Sequence, residues 1–155
     1  MHVDVKICGL TDADAVAAVL EARAEFAGFV FFPPSPRHLD TRRAEALAAP
    51  LRGQVRVVAL TVAADAQTFD DIFDTLGPEM LQLHGQESPE RVATLKSRYK
   101  VPVMKMIAVR GPEDLTGVYP YLDVADRSIQ CSKGPPQPTR PGGPGPRPAR
   151  LHLCP

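Results

Sequence analysis

The sequence contains no apolar run near the length of a membrane span, and its N-terminus lacks the charged-then-apolar pattern of a secretory leader. Its three cysteines, at positions 8, 131 and 154, have neither the paired spacing of a metal site nor the density of a disulfide scaffold. A reducing cytoplasm is the expected compartment. No basic stripe of the kind that grips nucleic acid is present, since Lys plus Arg and Asp plus Glu both number 18. That balance hides an asymmetry. All 18 acids lie at or before Asp126, whereas the stretch from Ser128 onward carries Lys133, Arg140, Arg147 and Arg150 and no acid. The body is therefore mildly acidic. A length of 155 residues suits one domain with a sizeable core.

What is present is an alternation. Strand-like runs rich in Val, Ile and Phe begin near Val3, Phe26, Val55, Met80, Val103 and Tyr121, with Ala- and Leu-rich helical stretches between them. Ala15, Val16, Val19 and Leu20 form one helical apolar face; Val92 and Leu95 anchor another. Thr11 with Asp14 reads as a capping box. Ser88 before Pro89, and Gly111 before Pro112, place a proline at a first helical position, and Asp65 can cap the helix that holds Phe69, Ile72, Phe73 and Leu76. Near-continuous apolar strands alternating with helices predict a parallel sheet covered by helices. After six such signals the pattern stops. From Ser128 to Pro155 there are eight prolines and four glycines and no periodic apolar segment, so this tail is expected to be irregular or disordered.

Three chemistry-bearing positions share one structural address. Cys8 ends the first strand and is followed by Gly9 and a helix cap. The second strand, Gly28–Phe32, runs into the loop Pro33-Pro34-Ser35-Pro36-Arg37-His38. The fourth, Met80–Leu83, leads directly to His84 and Gly85. If the strands are parallel, Cys8, Arg37 and His84 meet on the rim where alternating β/α proteins do their chemistry. There a thiol, a guanidinium and an imidazole supply a base, an anion anchor and a polar orienter. Each has a plainer alternative: Cys8 as a small buried hydrophobe, Arg37 as a solvated loop charge, His84 as a strand-end cap. Lys6 and Lys105 lie within strands and are candidates for buried ion pairs; Phe31 and Phe32 read as core.

Lys6-Ile7-Cys8-Gly9-Leu10-Thr11, Gly28-Phe29-Val30-Phe31 leading to Ser35-Pro36-Arg37-His38, and Leu81-Gln82-Leu83-His84-Gly85 together resemble the phosphoribosylanthranilate isomerase family, over about Val3 to Arg127. The resemblance implies a (β/α)8 TIM barrel of tryptophan biosynthesis with no metal and no organic cofactor. Its substrate is a small phosphorylated sugar-anthranilate; nucleic acid and membrane have no part. The reaction implied is an Amadori rearrangement, an aldose-ketose isomerisation, of N-(5-phosphoribosyl)anthranilate to 1-(2-carboxyphenylamino)-1-deoxyribulose 5-phosphate. Cys8 matches the family's general base, Arg37 the residue that meets the anthranilate part, and His84 a supporting site position. A different phosphate-binding barrel, such as a sugar-phosphate epimerase, would bring metal-ligating histidines and acids that this pattern lacks.

The tail departs from the family. The general acid expected there is an aspartate at the end of the sixth strand, and Cys131 falls at its place. An unperturbed thiol, with a pKa of about 8.5, is a far weaker acid than a carboxylic acid. Thr139-Arg140-Pro141-Gly142-Gly143-Pro144-Gly145 still resembles the family's glycine-rich loop, in which Gly142 and Gly143 would meet the substrate phosphate through backbone N–H groups. The expectation is therefore a partial barrel of about six strands over residues 1–127 and an irregular tail over 128–155. A truncation or frame slip after about residue 127 would produce that pattern. Strands seven and eight would be missing, the edges of the first and sixth strands open, and isomerase activity weak or nil. A catalytically inactive fragment is the alternative.

Overall fold

The computed structural model of the chain describes residues 3–109 and 111–132, with residues 130–132 described by backbone alone. Six parallel strands pair in chain order: β1 (Lys6–Cys8), β2 (Phe26–Phe31), β3 (Arg56–Thr61), β4 (Met80–Leu83), β5 (Val103–Val109) and β6 (Arg127–Ser132). Four helices cross between them: α1 (Ala13–Glu21), α2 (Thr41–Ala48), α3 (Ala66–Thr75) and α4 (Pro89–Tyr99). Among the described residues β1 and β6 each have a neighbour on one side only, so the sheet is an open part of a (β/α) barrel.

The near-continuous apolar strands are buried on both sides, as a helix-covered parallel sheet requires. Successive residues point to opposite faces. One set, including Ala27, Phe29, Phe31, Val57, Leu81 and Leu83, packs against Val16, Val19, Phe69, Ile72, Val92 and Leu95 of the helices. The other set, Phe26, Val58, Met80 and Met104, forms a separate cluster against which Ile129 packs. Phe31 is buried as expected, while Phe32, just past the strand, is half-buried.

Side chains start each α-helix, but not all of those anticipated. Asp65 and Ser88 cap α3 and α4 by accepting from the backbone N–H of Thr68 and Arg91. At α1 the cap is Asp12 rather than Thr11. Asp12 has extended backbone (φ −150°, ψ 169°), which brings its carboxylate to the Ala15 N–H at 2.8 Å, and the Thr11 hydroxyl turns to Asp12 instead. Asp40 caps α2 in the same manner.

The sixth unit differs from the sequence reading. Pro112–Tyr121 winds as 3-10 turns, without a strand at Tyr121 and without the α-helix implied by Gly111-Pro112. Pro120 inside the segment has no N–H to give and crowds the preceding turn, which a regular α-helix does not accommodate. The strand comes later, at Arg127–Ser132, and pairs with β5 from Met104↔Arg127 to Val109↔Ser132. The sheet thus continues past Arg127 into the stretch read as irregular. Backbone bonding to β5 needs no apolar sequence, and Ile129 packs against the cluster of Phe26, Val58, Met80 and Met104. The rest of the anticipated tail lies outside the described residues.

At the edge where the strands begin, one device recurs three times. The acid just before each even-numbered strand accepts a hydrogen bond from a backbone N–H near the start of the preceding odd-numbered strand. Glu25 accepts from Val5 at 2.6 Å, Glu79 from Val57 at 3.0 Å and Asp126 from Val103 at 2.9 Å. In each case the acid's own N–H returns a bond to the same residue's carbonyl oxygen, at 3.1, 2.8 and 2.9 Å. These reciprocal pairs satisfy N–H groups that an incoming strand leaves open and set the register before the ladder begins.

Asp126 also accepts from Lys96 Nζ at 2.8 Å. Burial is the strongest single influence on its carboxyl and favours the neutral form. The Lys96 and Val103 hydrogen bonds, with the Lys96 charge, outweigh it and hold the group below the usual carboxylate range. Because the folded value lies below the unfolded one, the stabilisation is present above the unfolded value of about 3.9 and is lost as pH falls through the folded value. Asp126→Asn is expected to lower stability at pH 7 by no more than about 1 kcal/mol, since the side chain is about a third exposed and screened. In urea titrations the gap to wild type should close as pH drops below about 4; a gap that stays constant into that range contradicts the assignment.

Candidate functional site

Strand β1 ends at Cys8, and the chain leaves it by a turn at Gly9 with φ +82°, a conformation that favours glycine. The N–H groups of Gly9 and Leu10 both donate to the Gly28 carbonyl, at 2.8 and 3.2 Å, so the turn is fastened to β2. The ladder puts Cys8 opposite Gly28. A Cβ on Gly28 would lie 2.6 Å from Cys8 Sγ and 3.1 Å from Lys6 Nζ. The missing side chain is the space into which the half-buried thiol and the ammonium both reach. Lys6 forms no ion pair with any described residue, unlike the buried pair anticipated for it. It lies two residues before Cys8, on the same face of β1, and brings a positive charge to the same glycine.

Arg37 comes to this point from the loop after β2. Its backbone N–H donates to Ser35 Oγ at 3.1 Å, Ser35 N–H to the Phe32 carbonyl at 2.8 Å and His38 N–H to the Ser35 carbonyl at 3.0 Å. Prolines 33, 34 and 36 restrict the same segment. The loop closes when Leu39 N–H bonds the Val30 carbonyl at 3.0 Å. Arg37, half-buried, lies across the turn after Cys8. A Cβ on Gly9 would collide with Arg37 Cδ and stand 3.0 Å from a terminal guanidinium nitrogen. Gly9 therefore serves the positive φ and the close approach of Arg37 at once. Thiol and ammonium share the space at Gly28, and the guanidinium lies over the adjoining turn at Gly9.

His84 stands at the same rim, one residue beyond β4, with its N–H donated to the Thr61 carbonyl at 2.9 Å. Two strands separate β4 from β1. Arg37 thus reaches Gly9, the residue after Cys8, while His84 stands at the end of a strand further along the sheet. Behind His84 lies a buried pair of which the sequence reading singled out only Lys105. Lys105, 2% exposed, pairs with Glu87, 8% exposed, at 3.1 Å. Here the buried ion pair anticipated for Lys105 is present. A lysine inside the apolar run Val103-Met104-Lys105-Met106-Ile107 needs a counter-charge, and that was the available signal for Glu87.

Cys131 sits near the end of β6, with its backbone opposite Ala108 of β5 and so at the rim end of its strand. Gly142 and Gly143 lie outside the described residues. No group of three or more His, Cys, Asp or Glu among the described residues is placed to hold a metal ion, and none of their helices is long and apolar enough to cross a membrane.

The contact at Gly28 makes a prediction. Gly28→Ala places a methyl group 2.6 Å from Cys8 Sγ and 3.3 Å from Cys8 Cα. Overpacking of this kind costs about 1–3 kcal/mol. Removing the sulfur should relieve most of it, so the Cys8→Ala/Gly28→Ala double variant is expected to have a higher urea midpoint than Gly28→Ala alone. Strict additivity of the two changes would contradict the close approach.

The sequence pattern of the N-(5'-phosphoribosyl)anthranilate (PRA) isomerase family matches residues 5–127, which includes Cys8, Arg37 and His84. An N-(5'-phosphoribosyl)anthranilate isomerase of Rhodopseudomonas palustris is 52% identical over 145 residues, covering 94% of this chain and 68% of the relative. One from Bradyrhizobium is 50% identical, covering 94% and 66%. The crystal structure of phosphoribosyl anthranilate isomerase from Thermotoga maritima superposes with a TM-score of 0.79 at 27% identity, over 87% of this chain and 64% of that one. The chain thus spans about two thirds of the length of these relatives. Six parallel strands in chain order, an arginine lying over the glycine turn that follows Cys8, and this degree of identity lead to one conclusion: the chain belongs to the N-(5'-phosphoribosyl)anthranilate isomerase family.

Proposed function

We propose that the protein acts in L-tryptophan biosynthesis on N-(5-phosphoribosyl)anthranilate, converting it by an Amadori rearrangement to 1-(2-carboxyphenylamino)-1-deoxyribulose 5-phosphate, with the rim around Cys8 as its site. The observation that carries this reading is the placement of Arg37 over Gly9, the residue that follows Cys8 at the tip of β1, within the stretch that matches the family. An anion anchor over the turn that follows a thiol suits a substrate with a carboxylate near the carbon that loses a proton.

The residues divide the work as follows. Arg37 holds the anthranilate carboxylate, since a guanidinium offers paired donors to two carboxylate oxygens. An acid protonates the furanose ring oxygen; the C1–O bond breaks and the nitrogen lone pair forms the Schiff base. Cys8 then takes the proton from C2, and that electron pair closes the C1=C2 bond as the iminium nitrogen becomes neutral. The enolamine loses its hydroxyl proton and gains one at C1, giving the ketone with no net change in atoms or electrons. A cysteine does this in its thiolate form, which neighbouring positive charge favours. His84 supports the substrate from β4. Gly142 and Gly143 are proposed for the phosphate, which backbone N–H groups bind well.

The weak element is the acid. Cys131 occupies its sequence position, and a thiol is a poor proton donor to a ring oxygen next to a carboxylic acid. Slow turnover is therefore expected of the wild-type chain, and an inactive fragment lacking the general acid and strands seven and eight is the competing reading. Cys131→Asp should raise kcat by about 10- to 100-fold if the position is catalytic. An unchanged rate assigns the acid elsewhere or supports the inactive fragment. Arg37→Ala should weaken binding of the product about tenfold or more, consistent with about 1.5–3 kcal/mol for a hydrogen bond to a charged group. Fluorescence titration with the anthranilate-bearing product measures it, and equal affinity in the two proteins rejects the role given to Arg37.

A further inference from the structure

The buried Lys105–Glu87 pair has no part in the chemistry just described, yet it is built around His84. Lys105 Nζ donates to the Gly85 carbonyl at 2.5 Å and to Glu87 Oε2 at 3.1 Å, with the Leu83 carbonyl at 3.5 Å. Leu83 and Gly85 are the residues on either side of His84, so one ammonium meets the backbone on both flanks of it. The second oxygen of Glu87 accepts from the Ala63 N–H at 3.0 Å, tying in the loop after β3. The Glu87 carbonyl accepts from the Tyr121 hydroxyl at 2.9 Å, tying in the 3-10 segment after β5. A Cβ on Gly85 would stand 2.7 Å from Ala63 N and 2.8 Å from Glu87 Oε1, so the carboxylate fills the space above the glycine.

Stability alone is a weak reason for this arrangement. Burying an ammonium and a carboxylate costs several kcal/mol in lost hydration, and well-packed apolar replacements of a buried pair are often as stable or more so. What an apolar pair would not supply is direction: three segments fastened to the turn that carries one imidazole. We infer that Lys105 and Glu87 are positioning residues, which fix the His84-Gly85 turn and thereby aim His84 at the substrate. This rests on the placement of the substrate at the rim proposed above. Neither residue touches the substrate. They act through the backbone of Leu83, His84 and Gly85.

The test uses histidine-labelled full-length protein, with the His84 ring resonances assigned by comparison with His84→Gln. In the Lys105→Met/Glu87→Gln double variant the urea midpoint is expected to stay near that of wild type. The His84 ring resonances should shift or broaden while those of His38 stay in place, and product affinity should fall about tenfold. Glu87→Gln alone, which keeps the shape and the acceptor for Ala63, should move His84 in the same direction by less. An unmoved His84 resonance in the folded double variant overturns the inference. So does unfolding of both variants, which would make the pair a structural necessity. If wild type itself binds no product, the substrate reading fails, and the His84 resonances still decide the positioning role.

Discussion

The parallel hydrogen-bond ladder is the constraint on which everything else rests. Because all six strands run the same way, every strand delivers its last residue to one rim, and the register decides which side chain arrives there. Slipping β1 by one residue would turn Cys8 from the Gly28 space into the helix-facing core. Register is secured at the opposite edge, where Glu25, Glu79 and Asp126 each exchange hydrogen bonds with the strand before them. Carboxylates at the start of the strands thus hold the chemistry at their ends in place, which is the usual division of labour between the two faces of a (β/α) barrel.

At the rim, glycine is the second organising element. Gly28 admits the thiol and the Lys6 ammonium, Gly9 admits Arg37, and Gly85 admits the Glu87 carboxylate. At each point a methyl group would collide with a group for which a functional or positioning role is proposed. The site is therefore carved by absent side chains as much as built from present ones. The same economy explains why two of the three glycine-containing motifs end in a sharp turn: the chain must leave the rim within a residue or two so that helices can cover the strands.

Much of this was legible in the sequence. Near-continuous apolar runs such as Phe26–Phe31 and Arg56–Thr61 alternate with capped helices, and that periodicity is a direct consequence of burial on both faces of a parallel sheet. Cys8, Arg37 and His84 could be placed on one rim because strand ends are marked by glycine and proline. The 3-10 segment was misjudged because Pro112 fits the first position of an α-helix as well as it fits a 3-10 turn; Pro120 was the signal against a regular α-helix. Strand β6 was expected to begin near Tyr121 rather than at Arg127 for a related reason: Arg127–Ser132 has little apolar character and pairs through backbone groups whose geometry any sequence can offer. The Asp12 cap depends on the backbone angles of one residue, which composition does not encode. Glu87 could have been found by asking what neutralises Lys105 in its apolar strand. The contacts of Lys6 could not, because they depend on the close approach of β1 and β2 at Gly28.

Cys8 carries the central claim, that a thiol at the tip of β1 is the base for proton removal from the sugar. The most direct measurement is single-turnover conversion of N-(5-phosphoribosyl)anthranilate with protein in excess, followed by anthranilate fluorescence, in wild type and Cys8→Ala side by side. Wild type should convert the substrate slowly, and Cys8→Ala should be slower by about 10²-fold or more, the scale of a positioned general base. Equal rates in the two proteins, whether both measurable or both nil, would contradict the assignment of Cys8 as the base.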